Sequence, residues 1–234
     1  MKTARFCAIV LAAGVGSRMH SDVPKQYMQL EGYPVLYYAL KAFEESMVDS
    51  IVLVTAEENI AFCQKEIVER YNFHKVHAVV AGGSERYLSV YEGLKAAEAD
   101  YVLIHDGARP LIDQESISRS MEYVVNERAC VLATPVKDTI KIADAAGYAQ
   151  NTPDRNTLWA VQTPQSFEKG LLMDAYERLF EHMQAGHLQI PITDDAMIVE
   201  QMMGQKVRLV EGNYTNIKIT TPEDLLIAKL FIKK

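Results

Sequence analysis

Residues 6–27 read "FCAIVLAAGVGSRMHSDVPKQY". The opening seven are apolar and read as a strand buried on both faces. Gly14 and Gly16 follow at G-x-G spacing, with Arg18 two residues on and Lys25 beyond Pro24. A dinucleotide fingerprint needs a third glycine where Met19 stands, and a Walker A loop needs G-x-x-x-x-G-K-[ST], which Gly14 to Lys25 do not supply. What remains is a tight glycine turn that brings backbone N–H groups close to an anion, with Arg18 and Lys25 able to converge on it. A plain strand-to-helix turn with two solvated cations stays open from this stretch alone.

Outward from the loop, apolar β-branched runs alternate with helical patterns. Pro34 opens a helix with Leu36, Leu40, Phe43 and Met47 on one face. "SIVLVT", "VHAVVAGG", "YVLIHD" and "ACVLATPV" read as strands. Helices are expected over about 59–71, within "LSVYEGLKAAEA", and over about 113–127. Such alternation indicates a doubly wound, mostly parallel α/β sheet covered by helices. The rhythm changes over 137–162, which lacks a helical stripe and carries a turn at Gly147. It reads as a hairpin-like β-arm projecting from the single domain 1–234. Helices return at about 169–184 and 194–203. "KVRLVEG" and "NIKIT" read as short strands, and a closing helix is capped by Thr221 with Pro222 at its first position.

The 234 residues suffice to bury a core, and a formal net charge of −7 excludes a general nucleic-acid binder. Three cysteines without C-x-x-C spacing, two of them (Cys7 and Cys130) in apolar runs, point to buried reduced thiols. No stretch reaches the ~18 apolar residues of a membrane span. The basic, apolar start resembles a leader, but cleavage after its alanines would destroy the glycine loop, so a cytoplasmic location is expected.

"LAAGVGSRM" with "PKQ" resembles the signature of nucleotidyltransferases that attach a nucleoside monophosphate to a phosphorylated sugar or polyol. "GGSERYLSVYEGL", "IHDGARP", "ATPVKDTIK", "LWAVQTPQSF", "TDDAMIVE" and "NIKITTPEDL" follow in order. Together they resemble the 2-C-methyl-D-erythritol 4-phosphate cytidylyltransferase family along nearly the whole chain. The resemblance implies a Rossmann-like nucleotidyltransferase fold and transfer of CMP from CTP to methylerythritol phosphate, with Mg²⁺, in the non-mevalonate isoprenoid pathway. The nucleophile would be a phosphate oxygen already anionic at neutral pH, so catalysis needs positioning and positive charge rather than a general base.

By that resemblance, Ala12, Ala13, Gly14, Gly16 and Lys25 embrace the triphosphate, and Arg18 stabilises the transition state. Gly82, Gly83 and Ser84 read the cytosine. Ser89 either bonds the nucleotide or caps the next helix. Asp106, at the carboxyl end of a strand, is a ligand to metal or to substrate hydroxyl, the metal being held mainly by CTP phosphates. Arg109 is a further substrate residue, or pairs internally with an acidic neighbour. Thr139, Thr163 and Thr193 touch substrate, Thr193 also suiting a helix cap, with Asp194 and Asp195 at the positive end. Lys218 and Arg155 grip the methylerythritol phosphate, making Arg18, Lys25, Lys218 and Arg155 the catalytic set. Arg155 is expected to act across a homodimer interface formed by the arms. His105 lacks a second histidine at ligand spacing and reads as structural; Trp159 and the tyrosines read as core or interface. Two rival readings are a cytidylyltransferase for ribitol 5-phosphate or another polyol phosphate, and a non-catalytic nucleotide-binding regulatory module.

Overall fold

The computed structural model describes residues 4–14, 19, 23–186 and 191–233. Strand β1 (Phe6–Ala12) turns Ala8 and Val10 to one face and Cys7 and Ile9 to the other, all fully buried. A strand apolar on both sides needs helices on both faces, and it has them. In chain order follow a small hairpin, β2 (Gln29–Leu30) and β3 (Tyr33–Pro34), then α1 (Val35–Glu44) and β4 (Ser50–Thr55). A helical stretch comes next: a 3-10 turn (Glu57–Asn59), α2 (Ile60–Phe62) and a π-helical segment (Cys63–Glu69). Then come β5 (Val76–Ala81), α3 (Arg86–Ala96), β6 (Tyr101–Asp106), α4 (Gln114–Glu127) and β7 (Ala129–Pro135). The remainder is β8 (Ile142–Ala143), β9 (Ala149–Asn151), β10 (Trp159–Glu168), α5 (Lys169–Gln184), α6 (Asp195–Met203), β11 (Arg208–Glu211) and α7 (Pro222–Ile232).

Seven strands form one sheet in the order β11-β7-β10-β6-β1-β4-β5. Only β10 runs against its neighbours, so the sheet is mostly parallel, as the alternation predicts. Helices α1 and α4 pack on one face with the 57–69 stretch, while α3, α5 and α6 cover the other. The register places Leu11 beside Asp106 and Ala12 beside Thr55, gathering the loops after β1, β4 and β6 at one edge. No helix among the described residues is long and apolar enough to cross a membrane.

Four local expectations are corrected. Helix α1 buries Leu36, Leu40 and Phe43 but ends before Met47, which is 72% exposed. Ser46 stops it: its hydroxyl donates to the Phe43 carbonyl (2.8 Å) and accepts from the Val48 N–H (3.3 Å), turning the chain toward β4. The projecting arm is shorter than 137–162. Its hairpin is β8–β9 around Gly147 (φ +86°), whereas Trp159 to Val161 belong to β10 and pair with β7. "NIKIT" forms no strand; it crosses the edge as an extended strap, pinned where the Ile219 N–H donates to the Ala108 carbonyl (2.8 Å). Asp194, not Thr193, caps α6, accepting from the Met197 N–H at 2.9 Å. The closing helix is as read, with a Thr221–Asp224 capping box and Pro222 in the first turn.

Candidate active site

A cleft of ≈ 320 Å³ opens at the carboxyl ends of β1, β5 and β6, lined by Ala12, Ala13, Gly14, Lys25, Gly83, Ser84 and Ser89. Its first wall is the described part of the glycine loop. The buried Gln26 amide donates to the carbonyls of Ala12 (2.6 Å) and Gly14 (3.1 Å), which fixes the loop and leaves Lys25 on the cleft side. Gly16 and Arg18 lie outside the described residues.

The Gly-Gly turn after β5 makes the second wall. A Cβ on Gly82 would lie 2.8 Å from the Ala13 Cβ, so glycine lets this turn close on the β1 loop. The Gly82 N–H donates to the Thr55 carbonyl (2.7 Å) and the Gly83 N–H to Ser89 Oγ (3.1 Å). Ser89, buried, braces the turn, its hydroxyl lying 3.3 Å from the Gly83 carbonyl and 3.2 Å from that of Glu85. Both glycine N–H groups are therefore engaged within the protein.

Asp106 ends β6 almost buried, with Lys218 Nζ at 2.7 Å, Arg86 Nε at 3.4 Å and Arg109 Nε at 3.8 Å. Burial alone pushes its carboxyl up, but Arg86, Lys218 and Arg109 together outweigh that and hold it well below the usual carboxylate range. Arg109 resolves toward internal pairing: its side chain is mostly buried and also donates to the Asn216 carbonyl at 2.7 Å. That bond and the Ile219–Ala108 bond tie down the strap on both sides of Lys218.

His105 is fully buried with both ring nitrogens engaged. The Arg109 carbonyl can only accept, so Nε2 donates to it (3.2 Å), and Nδ1 accepts from the Thr163 hydroxyl (3.1 Å). Burial pushes this imidazole down to about 4, keeping it neutral. Thr163 in turn accepts from the Asp106 N–H (3.1 Å), so the histidine is a brace, as its lone position in the sequence suggests.

A second cavity of ≈ 350 Å³ adjoins the first, lined by Thr163, Thr193 and Arg109 among others. Arg86, Asp106 and Lys218 border both cavities. Thr139 and Arg155 do not come to this cleft: both are exposed on the arm, where Arg155 donates to the Lys137 carbonyl (2.9 Å). Sequence reasoning missed Arg86, Asp195, Gln26 and Gln165. Asp195 is fully buried, paired with Arg86 at 2.7 Å and accepting from the Tyr176 hydroxyl at 2.7 Å. Only the position of Arg86, directly after the Gly-Gly turn, hinted at a role; its partner lies 109 residues away.

The model of the family described as 2-C-methyl-D-erythritol 4-phosphate cytidylyltransferase matches residues 6–234. The chain is 55% identical over 228 residues to the Lachnospira eligens protein of that name, spanning 97% of this chain and 98% of the relative. It is 50% identical over 231 residues to that of Lachnoclostridium phytofermentans, spanning 98% and 97%. The solved structure of 4-diphosphocytidyl-2C-methyl-D-erythritol synthase from Anaerococcus prevotii superimposes with a TM-score of 0.84 at 33% identity, covering 99% of this chain and 97% of that one. The corresponding cytidylyltransferase structure from Thermus thermophilus gives 0.75 at 28%, covering 97% and 98%. With a sheet and edge cleft of this form and such similarity from end to end, the chain belongs to the 2-C-methyl-D-erythritol 4-phosphate cytidylyltransferase family.

Proposed function

We propose that this cleft joins CMP from CTP to 2-C-methyl-D-erythritol 4-phosphate, releasing pyrophosphate. The observation that carries the reading is the pair of adjoining cavities that share Arg86, Asp106 and Lys218. One is walled by the glycine loop and Gly-Gly turn and suits a nucleoside triphosphate; the other is walled by hydroxyl and amide side chains and suits a polyol phosphate. The two phosphates meet where three cations surround one carboxylate. The attacking phosphate oxygen needs no base, so the residues' task is to bring like charges together and stabilise the charge that develops. Lys25 and Arg18 take the triphosphate and its transition state, and Lys218 holds the acceptor phosphate.

Cytosine is selected at the Gly-Gly turn. With the N–H groups of Gly82 and Gly83 occupied, the turn offers carbonyl oxygens, which suit the exocyclic amine of cytosine and oppose the carbonyl that uracil carries there. Asp106 is the carboxylate at the junction of the two cavities, so magnesium here would take triphosphate oxygens as its main ligands and Asp106 as the protein's donor. Asp106 Oδ1 is the less crowded oxygen, meeting Arg86 at 3.4 Å while Oδ2 meets Lys218 at 2.7 Å and Arg109 at 3.8 Å. When bound, such an ion neutralises phosphate charge. We also assign a symmetric dimer in the cytoplasm, with Arg155 serving the neighbouring site. Support comes from unpartnered apolar surface: Ile140, Ile142 and Tyr148 on the arm, and Leu226 and Leu230 on α7, 66% and 68% exposed.

The test is pyrophosphate release with CTP and magnesium over a panel of polyol phosphates. Methylerythritol phosphate should give the highest kcat/KM. An equal or higher value with ribitol 5-phosphate would move the chain to the rival polyol, and binding of CTP without turnover of any acceptor would make it a regulatory module.

A further inference from the structure

Arg86 has been given no individual task above beyond its place among the three cations, yet it occupies the junction of the two cavities. It opens α3 immediately after the turn that faces the nucleotide. Its guanidinium spans two carboxylates from different elements: Nη1 to Asp195 Oδ2 at 2.7 Å and Nε to Asp106 Oδ1 at 3.4 Å. The Asp195 end cannot swing. That carboxylate is fully buried, its other oxygen accepts from the Tyr176 hydroxyl (2.7 Å), and its backbone N–H donates to Gln165 Oε1 (3.0 Å). Gln165 also donates to Asp194, so the start of α6 is fixed to β10 just after Thr193, which lines the second cavity. The Asp106 end is the looser of the two and faces both cavities. A rigid fork held at one prong sets the position of whatever meets the other.

We propose that Arg86 is a positioning residue for the transfer step: anchored by Asp195, it holds the Asp106 carboxylate at the junction where the two phosphates meet. This rests on the proposed function for its kinetic consequences. It separates Arg86 from a residue that merely neutralises a buried aspartate, because that task needs one prong and leaves Asp106 untouched.

Arg86→Met alone leaves Asp195 buried and uncompensated, which threatens folding. The decisive protein is therefore the Arg86→Met/Asp195→Asn double variant, which removes both charges of the pair together. Its melting temperature should recover to within a few degrees of wild type. Its kcat/KM for methylerythritol phosphate should stay about 10- to 100-fold low, with CTP binding changed less than about 3-fold. Arg86→Lys, a point charge that cannot span both carboxylates, should rescue only partly. Wild-type kinetics in the double variant would overturn the proposal and leave Arg86 a structural counter-ion; so would a loss of CTP affinity as large as the loss with the acceptor. If wild-type protein releases no pyrophosphate, the proposed function falls separately, and unfolding decides on Arg86. Asp106→Asn should then shift the midpoint differently in wild-type and double-variant backgrounds, by more than about 2 °C. Equal shifts would overturn the link.

Discussion

Replacing Gly82 by alanine tests whether the contact between the two walls of the nucleotide cleft sets its shape. The added Cβ would lie 2.6 Å from Ser89 Oγ and 2.8 Å from the Ala13 Cβ. Carbon atoms rest at about 3.5 Å or more, so Ala13 and the turn must separate by about 0.7 Å. Overpacking of this kind costs about 1–3 kcal/mol, which in a chain of this size lowers Tm by roughly 2–12 °C. The larger effect falls on function, because the displaced atoms belong to the loop and turn to which the proposed function assigns CTP. A misplacement approaching 1 Å costs up to about 100-fold in rate, so kcat/KM for CTP should fall by roughly 10- to 100-fold. The control is Gly170→Ala in the first turn of α5, where a Cβ meets nothing within 4 Å. It should leave kinetics unchanged and raise stability by about 0.5–1 kcal/mol. Steady-state pyrophosphate release and thermal melts on both variants suffice. A Gly82→Ala enzyme with CTP kinetics within 2-fold of wild type would refute the argument that the walls must touch.

Four further outcomes are expected. Lys25→Ala should lower kcat by roughly 10²–10³, and near-wild-type turnover in the folded variant would remove Lys25 from the site. CTP should exceed UTP widely in kcat/KM because a buried amine-for-carbonyl exchange leaves partners mismatched; equal values would show that the Gly-Gly turn does not read the base. Mixing inactive Lys25→Ala and Arg155→Ala proteins after reversible dissociation should restore activity to about a quarter of all sites, since about half the dimers are mixed and each has one intact site. No recovery, with mixed dimers shown to form, would place Arg155 in its own subunit's function. Cys7, Cys63 and Cys130 are fully buried, and burial pushes the Cys130 thiol up to about 12. An aromatic disulfide reagent should therefore titrate none in the native protein and all three after denaturation; rapid native labelling would contradict this packing.

The sheet was legible because its strands are apolar on both faces, a pattern local in sequence: "SIVLVT" and "YVLIHD" coincide with β4 and β6. Elements with long-range causes were not. Residues 159–162 read as the end of the arm, yet β6 and β7 supply pairing partners on both sides of 159–168 and make it the one antiparallel strand of the seven-stranded sheet. Alternation along a strand would put Lys218 opposite Ile217 and Ile219; Ile219 is buried, but hydrogen bonds to Ala108 and Arg109 replace the strand. Asp195 illustrates the limit. At a helix start it reads as a partner of the positive helix end, and only folding brings Arg86 and Tyr176 around it.

Strand β10 has a consequence for how this protein can be altered. It begins where the arm returns, pairing Trp159 with Pro135, and passes an irregularity between Val161 and Gln165 where Thr163 and Gln165 face the second cavity. Arm and cavity wall are thus two ends of one strand, joined across that irregularity. An arm transplanted from a relative would bring its own setting of that strand, and a deletion reaching Trp159 would loosen the floor beneath Asp194. In this chain a change in arm length therefore bears, through β10, on the wall of the second cavity.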